Sequence, residues 1–281
     1  MTRKRLSWAN RIALAVALLF ALFPIFWLLS TSFKLRSEYV SGAAVLSSWI
    51  PSSLSLNNYR DVFYPYMNLL GMPQTSSWRS LVSTTGVALS ATTISVIFGL
   101  MAAIAFARYR VGGTWLPISV LSFRMIPPMA IAIPLAILLA PLGVTNTPML
   151  LPAIYAAITV PLSTWMLKSF IEQIPPHYEE AAMLDGMSRW QAHFRITVPM
   201  IKSGLGATFL YVFILNWTET PIALALAQGR YVTIPVQIID KVDSPNVQVA
   251  LAVLALVPPL VIGIVIQRHL GRGFTFGAIK N

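Results

Sequence analysis

Cysteine is absent from the 281 residues, which excludes a disulfide framework, a thiolate nucleophile and a zinc–thiolate site. Charge is scarce, with Asp, Glu, Lys and Arg making up only 10% of the chain. No G-x-x-x-x-G-K-[ST] phosphate loop occurs, so any ATP hydrolysis linked to this protein belongs to another chain. No Ser/His/acid constellation can be drawn within the apolar runs. Internal repeats, Gly/Ser linkers and low-complexity tracts are also missing, and the chain reads as one domain, 1–281.

What is present is apolar. The chain is 56% hydrophobic with a mean hydropathy of +0.70, and several runs exceed the roughly 18 residues that mark a membrane span. The net charge of +11 does not gather in one patch but lies between the apolar runs. That pattern fits membrane orientation and not nucleic-acid binding.

Six spans are expected, at about 12–33, 81–107, 115–140, 149–170, 204–227 and 247–267. The fold class is therefore an all-α integral membrane protein. Arg3, Lys4, Arg5 and Arg11 precede the first apolar run, which is too long for a signal peptide and lacks a small-residue cleavage site, so it reads as an uncleaved anchor. Segment 34–80 and segment 228–246 are expected outside. Thirteen Lys and Arg fall on the segments placed inside: Arg3, Lys4, Arg5, Arg11, Arg108, Arg110, Lys168, Arg189, Arg195, Lys202, Arg268, Arg272 and Lys280. Six fall outside. The asymmetry puts both termini in the cytoplasm. His177, His193 and His269 all fall on that inner side without metal-ligand spacing and are expected as surface groups.

The longest polar interruption of the second half is Glu179–Lys202, within an inner loop at 172–203. Pro175-Pro176 break the preceding helix, and Glu179 and Glu180 then fall in the first turn of a short helix, where carboxylates suit the positive end. Ala181 and Ala182 leave a bare face, and Asp185-Gly186 signals a turn. Ser188 and Gln191 have capping-box spacing for a second helix, which carries Trp190 and Phe194 on one face and is expected to stop before Pro199.

Glu180-Ala181-Ala182, Gly186 and Ile196-Thr197-Val198-Pro199 resemble the EAA loop of bacterial ATP-binding-cassette importer permeases. The longer form EEAAMLDG resembles the carbohydrate importers related to the maltose system. The resemblance implies that Glu179, Glu180, Ala181, Ala182, Asp185, Gly186 and Pro199 belong to a cytoplasmic coupling helix docking on an ATPase subunit. The alternative is an amphipathic elbow resting on the membrane. The tail at 269–281, with Gly273, Thr275, Gly277 and Lys280, is similar to the glycine-punctuated tail that in this family reaches the ATPase subunits; otherwise it is a frayed terminus.

Arg124 and Glu219 are the ionisable groups well inside spans, where placing them is costly. They form either a structural ion pair or part of a solute path. Asn216-Trp217-Thr218-Glu219-Thr220-Pro221 stands where the family carries Trp-Asn followed by an acid, near its translocation path. Thr218 replaces the usual Asn, which puts an amide-specific role in doubt. Trp217 either stacks on a sugar or packs.

The resemblance implies a permease of the bacterial cytoplasmic (inner) membrane importing a sugar, polyol or sugar derivative by alternating access. It would work with a second permease subunit in a heterodimer, two ATPase subunits holding ATP and Mg, and an extracytoplasmic solute-binding protein. The chain itself would bind no cofactor, metal or nucleic acid. A permease for a non-carbohydrate solute, a secondary transporter and a membrane scaffold are the rivals. One acid within the spans and no repeat argue against a secondary transporter.

Overall fold

Backbone in hydrocarbon must satisfy its own hydrogen bonds, so long apolar runs become helices. The computed structural model describes residues 7–40, 49–144, 147–227 and 231–270. In chain order its principal helices are α1 (Trp8–Ser32), α2 (Trp78–Tyr109), α3 (Trp115–Ser122), α4 (Pro128–Leu139), α5 (Leu150–Glu172), α6 (His177–Leu184), α7 (Arg189–Met200), α8 (Lys202–Trp217), α9 (Pro221–Leu226), α10 (Ile234–Asp240) and α11 (Pro245–Leu270). Among the described residues, α1, α2, α5 and α11 are long and apolar enough to cross a membrane unaided. Two bent pairs raise the number to as many as six: Trp115–Met125 with Pro128–Leu142 at 79°, and Arg189–Met200 with Lys202–Trp217 at 75°.

The apolar runs are helical, with local detail that individual residues explain. The first helix begins at Trp8, four residues early, because the Ser7 side chain accepts the Asn10 N–H and caps it. The third run breaks at Ile126-Pro127, and Pro128 restarts the helix as α4. The fifth run is not continuous to 227. It stops at Trp217 and resumes at Pro221, since proline has no N–H to continue the ladder.

Contacts divide the chain into two units. One comprises Met1–Trp78 and Gln237–Leu256. Its polar stretch, expected simply as an outer loop, contains a helix over Asn57–Phe63 and a small hairpin pairing Tyr66 with Gln74 and Met67 with Pro73. Buried Asn58 donates to the carbonyls of Ser32 and Lys34, both at 2.9 Å, and accepts from Asn246 at 3.2 Å. Lys241 Nζ donates to Gln74 Oε1 at 3.2 Å.

The other unit comprises Arg79–Val236 and Val257–Asn281 and carries the candidate site. Here α2 and α5 pack through small residues. Ser95 Oγ and Thr159 Oγ1 are 2.6 Å apart, and one turn on, Gly99 lies against Ser163. Small residues are what let helices approach closely in lipid. Asn216 of α8 donates to Thr92 of α2 at 3.1 Å. An apolar cluster of Leu100, Ala103, Ile104, Leu167, Ile171, Ile174 and Ile201 closes the end of this bundle directly beneath the elbow.

Candidate functional site

The elbow is built locally. In α6 the Met187 N–H bonds the Ala182 carbonyl and the Gly186 N–H bonds that of Met183, at 3.0 and 3.1 Å. This paired closure is a Schellman stop, which needs a left-handed residue. Gly186 supplies it at φ +91°. Ser188 Oγ then accepts the Gln191 N–H while the Gln191 side chain accepts the Ser188 N–H, completing the expected capping box. The Trp190 and Phe194 rings stack at 6.1 Å.

Helix α7 does not stop before Pro199. Residues His193–Thr197 form a π turn, with the Val198 N–H on the His193 carbonyl, and the helix runs through Pro199 to Met200 before bending at Ile201. The widened turn lies just ahead of the residue that cannot donate, so the ladder changes register where proline would break it.

Glu179 and Ala182 share the inner face of α6, while Glu180, Ala181, Asp185 and Gly186 are exposed. Glu179 is only 5% exposed. Its Oε1 accepts from Arg108 Nε at 2.9 Å and from the Thr197 hydroxyl. Arg108, at the end of α2, also donates through Nη2 to the Ile174 carbonyl at 3.0 Å. Burial pushes the Glu179 carboxyl up, but hydrogen bonds from Thr197 and Arg108 and the charges of Arg108 and His193 outweigh it, leaving it below the ordinary glutamate range.

His193 is not a surface group. It is 5% exposed, with Tyr109 Oη 2.9 Å from Nε2 and Glu179 Oε2 3.4 Å from Nδ1, the latter without hydrogen-bond geometry. Burial follows from its place on the inner side of the π turn, which faces α2. His177 is exposed, and the side chain of His269 lies outside the described residues. Arg108, Tyr109, Glu179, Glu180, Met183, Arg189 and His193 line a cleft of about 300 Å³.

Sequence reasoning passed over Arg108, Thr197 and His193 as partners of the elbow, and also Leu184, which is 90% exposed on the outer face between Glu180 and Asp185. The sequence offers only a weak signal for the first group: neighbouring helix residues point about 100° apart, so Glu179 and Glu180 need not share a face.

Within the spans, Arg124 and Glu219 line one small cleft with Tyr155, Thr159 and Asn216. Among the ion pairs of the described residues theirs does not occur. Glu219 instead caps α9, its Oε1 accepting the Ile222 N–H at 3.2 Å, and its carbonyl accepts from Tyr155 Oη at 3.3 Å. Two backbone groups at the break, the Ile222 N–H and the Glu219 carbonyl, are thus satisfied by protein, as membrane depth favours. Asn216 is buried on Thr92. Trp217 is 4% exposed and tilts against Phe213 at 5.6 Å, so its ring packs. Gly273, Thr275, Gly277 and Lys280 lie outside the described residues.

Comparison with known proteins adds the following. Residues 95–276 match the family described as the inner membrane component of binding-protein-dependent transport systems. An inner membrane ABC transporter permease protein of Escherichia coli (strain K12) is 31% identical over 274 residues, 95% of this chain and 94% of that protein. A trehalose transport system permease protein of Mycobacterium tuberculosis (strain CDC 1551 / Oshkosh) is 31% identical over 288 residues, 99% and 98% of the two. In fold, a bacterial ABC transporter involved in the import of the acidic polysaccharide alginate superposes with a TM-score of 0.70 at 20% identity, over 92% of this chain and 94% of that one.

Proposed function

Because the chain belongs to the family of inner membrane components of binding-protein-dependent transport systems, we propose that it is one of two different permease subunits of an ATP-driven importer for a carbohydrate. The observation that carries this reading is the elbow: a buried base fixed to the bundle beneath an exposed face of Glu180, Ala181, Leu184, Asp185 and Gly186. Small residues and a lone projecting leucine suit a close-fitting protein groove better than a lipid headgroup layer. The trehalose system relative supports the solute class.

In this reading the elbow and both termini face the cytoplasm of a bacterial cell, and the exposed face docks on one of two ATPase subunits that hold ATP and Mg. Glu180 pairs there with a basic group. The tail residues Gly273, Thr275, Gly277 and Lys280 reach the same subunits. An extracytoplasmic binding protein delivers solute on the opposite side. ATP-driven closure moves the elbow, and the spans alternate access to a path that includes Arg124 and Glu219. Asn216 lines the same small cleft as Arg124 and Glu219, and buried Trp217 shapes it from behind.

The test is binding-protein-stimulated ATPase of the purified complex against a panel of sugars, polyols, sugar acids, amino acids and peptides. Stimulation by a sugar or polyol is expected. Stimulation by amino acids or peptides alone would remove the carbohydrate reading, and a chain that captures no ATPase subunit would remove the importer.

A further inference from the structure

Glu179 stands beside the residues of the docking face but is turned away from it. Its carboxylate is the meeting point of three segments. Arg108 brings in the end of α2, Thr197 brings in the π turn that leads through Ile201 into α8, and Glu179 itself belongs to α6. Arg108 adds a fourth, because its second donor holds the Ile174 carbonyl. That carbonyl follows α5 and precedes Pro175-Pro176, where the helical ladder is lost. The same guanidinium therefore braces the chain where it enters the elbow and, through Glu179, where it leaves.

A surface ion pair would be worth little to such a joint, but this one is not at the surface. The Arg108 and Glu179 side chains are 9% and 6% exposed, and charge-assisted hydrogen bonds of this kind are short and directional. Directly below, Ile174, Ile201 and Leu167 pack against Leu100 and Ile104, so the clasp closes over a filled apolar base. An elbow fastened in this way cannot pivot freely on its proline hinge.

We propose that the Arg108–Glu179–Thr197 clasp is the positioning element that makes elbow and spans move as one body, carrying displacement of the docked elbow into α2, α5 and α8. The proposal rests on the docking reading given above. It assigns Glu179 to transmission and Glu180, one residue on, to docking.

The absence of cysteine permits a direct test that needs no knowledge of the solute. Thr218, exposed at the end of α8, is replaced in Thr218→Cys. The assembled complex is then labelled with a membrane-impermeant maleimide, nucleotide-free and after trapping with ATP and vanadate. With the clasp intact, trapping is expected to change the labelling rate by at least about fivefold, the lower range of an allosteric coupling. With Glu179→Gln or Arg108→Gln the ratio falls towards one, while the ATPase subunits still co-purify and hydrolyse ATP. The double variant loses no more than either single one, as expected of residues acting as a unit. If Glu179→Gln fails to assemble, Thr197→Val keeps the ion pair, cuts the link to α7, and is expected to lower the ratio at Thr218→Cys. A full trapping response in Glu179→Gln, or in Thr197→Val where that variant is the one read, overturns the proposal. A Glu180→Lys complex that loses ATPase subunits separates docking from transmission. A complex with an intact clasp that shows no trapping response removes the alternating-access reading and the proposal with it.

Discussion

Gly99 of α2 and Ser163 of α5 meet so closely that a Cβ on the glycine would lie 2.5 Å from the serine Cβ and 3.0 Å from the Thr164 nitrogen. Both obstacles belong to the helix itself and not to a flexible side-chain tip. Gly99→Ala is therefore expected to destabilise by about 1–3 kcal/mol, the usual cost of overpacking, and Gly99→Leu to abolish accumulation. Gly86→Ala, on the same helix with nothing within 4 Å, is expected to be neutral or slightly stabilising. Thermal melts of the detergent-purified protein distinguish the three.

Asn216 and Thr92 make a buried hydrogen bond between α8 and α2. Such bonds within membranes average only about 0.6 kcal/mol. Asn216→Ala and Thr92→Ala should each cost under about 1 kcal/mol, with the double variant close to either single one. A loss several times larger, measured as unfolding in mixed micelles, would mean that the asparagine does more than join helices.

Gly186 has open space around its α-carbon but a backbone at φ +91°. Within the chain itself a substitution there acts through strain, at about 1–2 kcal/mol, and the elbow can relieve it by unwinding the Schellman stop. Gly186→Asn should retain more ATP-driven uptake than Gly186→Val, because asparagine tolerates left-handed backbone. Uptake into proteoliposomes reads the order, and equal activity of the two would contradict it.

Glu179 titrates below the ordinary glutamate value in the folded protein. A depressed carboxyl contributes stability that is fully present above the unfolded pKa, about 4.3, and is lost as pH falls through the folded value. The stability difference between the native chain and Glu179→Gln should therefore be flat from about pH 5 to 8 and shrink only in acid below about 4. Melting curves across that range check it. A difference that vanishes near neutrality would contradict the assignment.

Short-range chemistry was readable without coordinates. The capping box at Ser188 and Gln191, the turn at Gly186 and the long apolar helices depend on residues within a few positions of one another, and all appear. What escaped was set by distance along the chain. Arg108 lies 71 residues from Glu179, and in the sequence it is simply one more basic residue at a span's inner end. His193 looked like a surface group because nothing nearby shows that a π turn aims it at α2. The break at Trp217–Pro221 was visible as a proline, but not its remedy, since the Tyr155 hydroxyl that satisfies the Glu219 carbonyl comes from another helix.

The π turn at His193–Thr197 has a consequence for angular phase. A π turn holds one residue more than a regular α-helical turn, and one residue corresponds to about 100° of helical rotation. Deleting that extra residue would let the turn close as regular α-helix with the flanking segments near their present phase, whereas deleting one residue from the regular turn before it would rotate Trp190 by about that angle relative to Thr197. The elbow is thus clocked by residue number as well as by residue identity. A single-residue deletion within 193–197 should therefore be tolerated better than one in the regular turn at 189–192.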